Sequence, residues 1–297
     1  MLDAHGWVSV VDLIIYDPAL VVAALVCFRH GFRKGSGWIY TLVLCLVRII
    51  GSICRLVSIN HPSERLITTT FVLDSVGLGP LLLATMGLLS RFVAFINAHA
   101  ASRVTTLHFR IIKIVITVGL VLSVVGGISG YKTQPDGSIK IPTESKVGVI
   151  LFIPAFVALI LILFVSLPHT AVVPPKERRV PVAVAFAFPF VAVRLLYSIL
   201  AVYLHNHTFG VLNGSVVVWA LMAVVEEFIV VIMYLTLGFL VDPRNAEDSG
   251  SSPWSSTVER AERHVKRTRE RTGGYEMARG AERQGLRAGG HQSTGVV

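Results

Sequence analysis

Seven apolar stretches of twenty residues or more, separated by short polar segments, constrain this chain more than any other feature. They run from about Val8 to Phe28, Trp38 to Ile59, Leu66 to Leu89, Ile111 to Gly130, Val147 to Leu167, Pro181 to Leu204 and Ser215 to Val241. A helix needs about 20 such residues to cross roughly 30 Å of hydrocarbon, and inside a bilayer only helices and closed barrels satisfy their own backbone groups. The stretches are continuously apolar and lack the alternation of a barrel strand. The predicted fold class is therefore all-α, a polytopic seven-transmembrane-helix bundle over residues 1–242. Composition follows from this, with 53% hydrophobic and 15% charged residues, against about a quarter charged in an ordinary soluble domain. Spans and loops leave no room for a separate soluble catalytic domain, so any chemistry has to happen inside the bundle.

After Val241 the pattern changes to polar and charged, with ten Lys or Arg and eight Asp or Glu from Asp242 to Val297. Residues 243–297 read as a mostly disordered cytosolic tail, because they carry few large apolar side chains to bury. Ser256 and Glu259 stand at capping-box spacing, enough for a transient helix. Cys27, Cys45 and Cys54 all fall in apolar stretches and read as small core residues rather than a disulfide framework or a zinc cluster.

The net charge of +9 points to topology rather than to nucleic acid, since the basic residues sit in short loops and the tail. Arg29, Arg33 and Lys34 fall in the first loop, Arg91, Arg103 and Arg110 in the third, and Lys176, Arg178 and Arg179 in the fifth. The opposite side is poorer, with Arg65 in the second loop, Lys132, Lys140 and Lys146 in the fourth and none in the sixth. The positive-inside rule then places the amino terminus outside or in the lumen and the carboxyl terminus in the cytosol. No basic segment precedes the first span, so a cleaved signal peptide is not expected. Asn206-His207-Thr208 and Asn213-Gly214-Ser215 are glycosylation sequons in a loop that this topology puts outside. The expected location is the endoplasmic reticulum or another endomembrane.

The informative residues are the ionisable ones inside the spans. Asp12, Asp17, Asp74, Glu226 and Glu227 supply five carboxyls; Arg48, Arg55 and Arg194 supply three guanidinium groups. Each costs at least ~2.5 kcal/mol on insertion scales, a penalty a bundle tolerates when such groups face inward and satisfy one another. Arg48, Ser52 and Arg55 share one face of the second span, at i, i+4 and i+7. Glu226 lies eleven residues into the seventh span, roughly 17 Å deep at 1.5 Å per residue. Arg48, Asp17, Asp74, Arg194 and Glu226 thus share a layer between the midplane and the outer leaflet. Glu226 and Glu227 diverge by about 100°, one toward a cavity and one toward a neighbouring helix. Asp12, nearer the outer end, is expected to snorkel to the interface.

Arginine keeps its proton, so two carboxyls have no intramembrane cation, and a carboxyl buried in that way is a neutral proton donor. The alternative is that these groups form helix-clamping ion pairs. Pro18, Pro80, Pro154 and Pro189 interrupt four spans and open space, while Tyr16, Tyr197, Trp219 and Tyr234 lie deep enough to line it. The phosphate loop, the zincin helix and the nucleophile elbow are all missing, and Gly77-Leu78-Gly79 followed by proline fails the dinucleotide pattern. No close aspartate cluster exists to hold magnesium and a diphosphate. Neither metal nor cofactor is expected.

With these arginines, the Arg194-x-x-Tyr197 turn and the Glu226-Glu227 pair, the chain resembles, over roughly residues 5 to 241, a large family of fungal seven-helix integral membrane proteins. That group is similar in size and layout to the membrane-bound cyclases of fungal meroterpenoid pathways, whose buried acids protonate an epoxide or terminal alkene on a prenyl chain. The resemblance implies a cofactor-independent terpene cyclase of secondary metabolism with a hydrophobic prenylated substrate. On the physical reading, Glu226, Glu227 or Asp74 acts as general acid. Arg48, Arg55, Arg194 and Asp17 orient the acids, and Tyr197 and Trp219 face the travelling cation. Two other classes fit the same residues. A proton-coupled transporter would use the charges as a relay, although no internal repeat is evident. A heptahelical receptor-like or lipid-sensing protein would use them only to lock its helices.

Overall fold

The computed structural model describes residues 4–31, 36–61, 63–99, 104–128, 132–133, 139–140, 142–173, 177–203 and 216–242. The tail, Asn206, Asn213 and the basic residues Arg33, Lys34, Arg103 and Lys176 lie outside the described residues.

Seven helical spans among the described residues are long and apolar enough to cross a membrane, and the chain is a multi-pass membrane protein built as a seven-helix bundle. Helix α1 covers Ala4–His30 and α2 Ser36–Asn60. The third span is split into α3, Glu64–Val76, and α4, Leu78–His99. Helices α5, Thr106–Ile128, α6, Thr143–Ser166, and α7, Arg179–Tyr203, follow. A 3-10 turn, Leu167–Val172, follows α6. The last span consists of α8, Val216–Trp219, a π-helical turn over Ala220–Val225, and α9, Glu226–Leu240. A two-residue antiparallel ladder, Lys132–Thr133 with Ile139–Lys140, lies between α5 and α6.

Position in the bundle follows from burial. In α3–α4, 83% of the most apolar eighteen residues are buried, against 28–44% in the other six spans, so this span is the central one. It packs against α2, α5, α6 and α7. The outer helices turn large apolar side chains outward, among them Ile14, Phe28, Phe164 and Phe186, as lipid-facing surfaces should. Helices α5 and α6 pack closely, and Gly148 makes this approach possible: a Cβ there would sit 2.5 Å from the Ser123 hydroxyl and 2.7 Å from the Gly119 carbonyl oxygen. Small residues allow such contact between membrane helices.

Several boundaries differ from the apolar pattern, and α5 and α6 begin at Thr106 and Thr143, which draws Arg110 and Lys146 out of the loops and into helix. The third span does not end at Leu89 but continues to His99, because Arg91 is buried against Glu177 instead of marking a loop. Arg29 and His30 form the last turn of α1. Pro80 is the third residue of α4, where a missing N–H costs little, whereas Pro18, Pro154 and Pro189 lie inside α1, α6 and α7.

Candidate functional site

Helix α2 brings Arg48, Ser52 and Arg55 to the interior on one face, as their spacing requires. Arg48 is buried and grips Glu227 of α9 with two donors, Nε 2.5 Å from Oε1 and an Nη on Oε2. Its Nη1 stands 3.8 Å from Oδ1 of Asp74. Arg55 donates to the other oxygen of Asp74, lies within 3.1 Å of the His5 ring nitrogen Nδ1 and stacks over Trp219 at 4.5 Å. Arg194 of α7 approaches Glu227 Oε2 at 3.5 Å and donates at 3.0 Å to Ser198 and at 2.8 Å to the carbonyl oxygen of Asp74. Charges therefore alternate along one chain, from Arg194 through Glu227, Arg48 and Asp74 to Arg55, tying α7, α9, α2 and α3 together. Such pairing in a low-dielectric interior needs close geometry to offset desolvation, and bidentate guanidinium contact supplies it.

Two breaks in regular helix make the network possible. Between α3 and α4 the sequence Gly77-Leu78-Gly79-Pro80 interrupts the ladder, and the Asp74 carbonyl accepts from Arg194. A Cβ on Gly77 would stand 3.0 Å from Glu227 Oε2 and 3.2 Å from Arg48 Nη2, so glycine gives the pair its space. The second break is the π turn at Ala220–Val225. Trp219 and Glu227 are eight residues apart and would diverge by about 80° on a regular helix. A π turn absorbs one residue, leaving an effective seven, which restores a common face to within about 20°. Trp219 thereby covers Arg55 while Glu227 meets Arg48.

Glu226 stands beside this network rather than in it. It is half-buried, Arg194 is the charge that bears on it, and its Oε2 is buried with no hydrogen-bond partner among the described residues. Tyr197 carries the Arg194 guanidinium over its ring at 5.8 Å. The first helix reverses expectation. Asp12 is buried and accepts from Ser52 at 3.4 Å, whereas Asp17, expected at the pocket, is exposed on the outer face of α1. The two positions lie five residues apart and so about 140° around the helix. Only one can face Arg48 and Ser52.

A second buried cluster closes the opposite end of the bundle. Arg91 pairs with Glu177, Nη2 to Oε1 at 2.6 Å, and donates to the Asp242 carbonyl oxygen at 2.7 Å. His30 stacks on Trp38 at 4.1 Å. Its Nε2 contacts the Gly238 carbonyl oxygen at 2.7 Å, and its Nδ1 lies 3.4 Å from Arg91 Nη1. Trp38 donates to the Tyr234 carbonyl and Arg29 to that of Phe239. Carbonyls at a helix C-terminus have no intrahelical donor, and His30 and Arg29 satisfy those of Gly238 and Phe239 in α9. Sequence reasoning placed Arg91 in a loop and did not single out Glu177. No local signal connects residues so far apart.

The family described as a domain of unknown function, DUF7702, matches residues 2–244. The chain belongs to this family. The match takes in all seven spans and the residues of both buried clusters. No curated protein and no solved structure matches the chain. Among the described residues, no three His, Cys, Asp or Glu side chains are grouped to hold a metal. The arrangement offers a fixed lattice of charge, the Glu226 carboxyl beside it with no hydrogen-bond partner on Oε2 among the described residues, and the rings of Trp219 and Tyr197, which lie against Arg55 and Arg194.

Proposed function

We propose that this bundle is a membrane-embedded, cofactor-independent terpene cyclase that protonates an epoxide or terminal alkene of a prenylated, meroterpenoid-type substrate, with Glu226 as the general acid. The observation that carries the reading is the Glu226 carboxyl, whose Oε2 is buried without a hydrogen-bond partner among the described residues, beside a network that holds Glu227 and Asp74 between arginines. Two of the three carboxyls considered from the sequence are thus engaged as counterions, and the remaining one is free to carry a proton. In this reading Arg194 steadies the Glu226 carboxylate after transfer, and the faces of the Tyr197 and Trp219 rings turned away from Arg194 and Arg55 meet the carbocation. Ring closure ends with loss of a proton from carbon, which restores the acid, so the reaction is an isomerisation without redox change.

The same proposal places the protein in a fungal endomembrane, amino terminus outside, with Asn206 and Asn213 glycosylated. Cysteines introduced between 205 and 214 should then react with an impermeant reagent from the non-cytosolic side, and labelling from the cytosol would overturn the orientation. The activity is tested in microsomes containing the full chain, supplied with an epoxidised farnesyl-bearing aromatic compound and a chelator. A cyclised product that disappears in Glu226→Gln is the expected result; no product from epoxide or polyene substrates counts against the enzyme.

A second reading has its own support. The ion pairs of Glu227 and Asp74 join four helices across two helix breaks, which suits a heptahelical ligand sensor whose lock opens on binding. An apolar ligand that stabilises the wild type but is recovered unchanged would favour this reading over the cyclase.

A further inference from the structure

Two side chains on the inner face of α1 have polar atoms that neither the charge network nor the proposed acid uses. Asp12 is 3% exposed and Tyr16 0%, and both the Asp12 Oδ1 and the Tyr16 hydroxyl lack a hydrogen-bond partner among the described residues. They stand one helical turn apart. A long side chain on a helix leans back over the preceding turn, so the Tyr16 phenol leans toward the turn that carries Asp12, and the two groups interact electrostatically. Around them stand Ser52, which donates to the other Asp12 oxygen, Cys45, the Arg48–Glu227 pair and Asp74. Phe228 of α9 presses its ring edge-on to Tyr16 at 6.3 Å between centroids.

This niche is separate from Glu226. Phe228 follows Glu226 by two residues and so points about 200° away on α9. Glu226 faces the side of Arg194, while Tyr16 meets the side of Phe228. The two features lie on different sides of α9.

Buried polar atoms with free valences require an occupant that can both donate and accept, and the charge balance decides its class. With Glu226 protonated, as in the proposed function on which this count rests, the three guanidinium groups of Arg48, Arg55 and Arg194 are equalled in number by the carboxylates of Asp74, Glu227 and Asp12, so an added cation would leave the cluster positive. We propose that Asp12, Tyr16 and Ser52 form a binding site for an ordered water molecule, which accepts from the Tyr16 hydroxyl and donates to Asp12 Oδ1. Buried waters are held by two to four such contacts. The water joins Tyr16 to Asp12 within α1, and the direct Ser52–Asp12 hydrogen bond carries the link on to α2.

The test is hydroxyl-radical footprinting by radiolysis of water, applied to the full chain in lipid nanodiscs. Tyr234 provides an internal control, since it is equally buried but its hydroxyl is 2.7 Å from Thr85 Oγ1. Tyr16 should be oxidised severalfold faster than Tyr234, and Asp12→Leu should reduce it to the rate of Tyr234. Should Asp12→Leu fail to fold, Tyr16→Phe, read at Phe228, should lower oxidation there. Equal, low oxidation of Tyr16 and Tyr234 in the wild type would show a dry niche and overturn the proposal. A melting temperature that rises with sodium over choline in the wild type, but not in Asp12→Asn, would also overturn it, because the occupant would then be a cation.

Discussion

Arg48 and Glu227 are separated by 179 positions in the chain and meet side-on, with the guanidinium Nε 2.5 Å from Oε1 and an Nη on the second oxygen. Glu227 is fully buried and also faces Arg194. Replacing it with glutamine leaves two guanidinium groups short of a counterion in a medium that does not solvate them. Glu227→Gln should therefore lose about 3 to 5 kcal/mol of stability, whereas Glu226→Gln, which breaks no ion pair, should fold as the wild type does. Thermal unfolding of both variants in the same detergent decides it. Equal stability of the two would show that the paired carboxylate carries no structural weight.

Gly77 offers a steric probe of the same pair. A methyl group fits only if Glu227 or Arg48 gives by a few tenths of an ångström, and overpacking of this kind costs about 1 to 3 kcal/mol. Gly77→Ala should fall in that range, and Gly77→Val should fold poorly. A Gly77→Ala protein as stable as the wild type would mean that the α3–α4 break can move aside.

Asp12 and Asp17 should behave in opposite ways. Asp17 faces outward, so Asp17→Leu removes an insertion penalty of about 2.5 to 3.5 kcal/mol and should raise membrane-integrated yield without lowering melting temperature. Asp12→Leu removes the partner of Ser52 and a carboxyl near Arg48, and should lower it. The reverse ranking in a melting assay would place the wrong aspartate inside.

At the opposite end, Arg91→Gln or Glu177→Gln alone should cost about 3 to 5 kcal/mol, because each leaves a buried charge unmatched. The double variant should recover part of that loss, giving a coupling energy of the kind contacting residues show. Additive losses in a double-mutant cycle would contradict the pairing.

The spans were legible because length and unbroken apolarity are local properties, and Arg48, Ser52 and Arg55 were legible as one inward face because their spacing is a property of one helix. What the sequence left open depends on rotation and on distant partners. Asp17 has the depth of the charged layer, but depth does not say which way a helix turns; Ser52 and Arg48 draw Asp12 inward instead. Glu226 and Glu227 differ by a single step, and the π turn that sets their phase lies in Ala220–Val225, six apolar residues with no proline or glycine to announce it. The α3–α4 break had a signal in Gly77-Leu78-Gly79-Pro80, legible as a helix interruption once the failed nucleotide pattern is set aside. Arg91 looked like the start of a loop because its counterion lies 86 residues further on.

These separations have a consequence for how the protein is made. A ribosome adding about 5 to 20 residues per second needs roughly 9 to 36 s to reach Glu227 after Arg48 has been synthesised, at their separation of 179 residues. For Arg91 the wait for Glu177, 86 residues away, is roughly 4 to 17 s at the same pace. During those intervals each arginine lacks the carboxylate it grips most closely, although Asp74 of the next span can already face Arg48. The second span and the central third span must therefore be held by the insertion machinery, or shelter their charges at the interface, until the sixth and seventh spans arrive. Assembly of the bundle is then gated by the order of synthesis, with the last helix supplying the carboxylate that lets the second one settle.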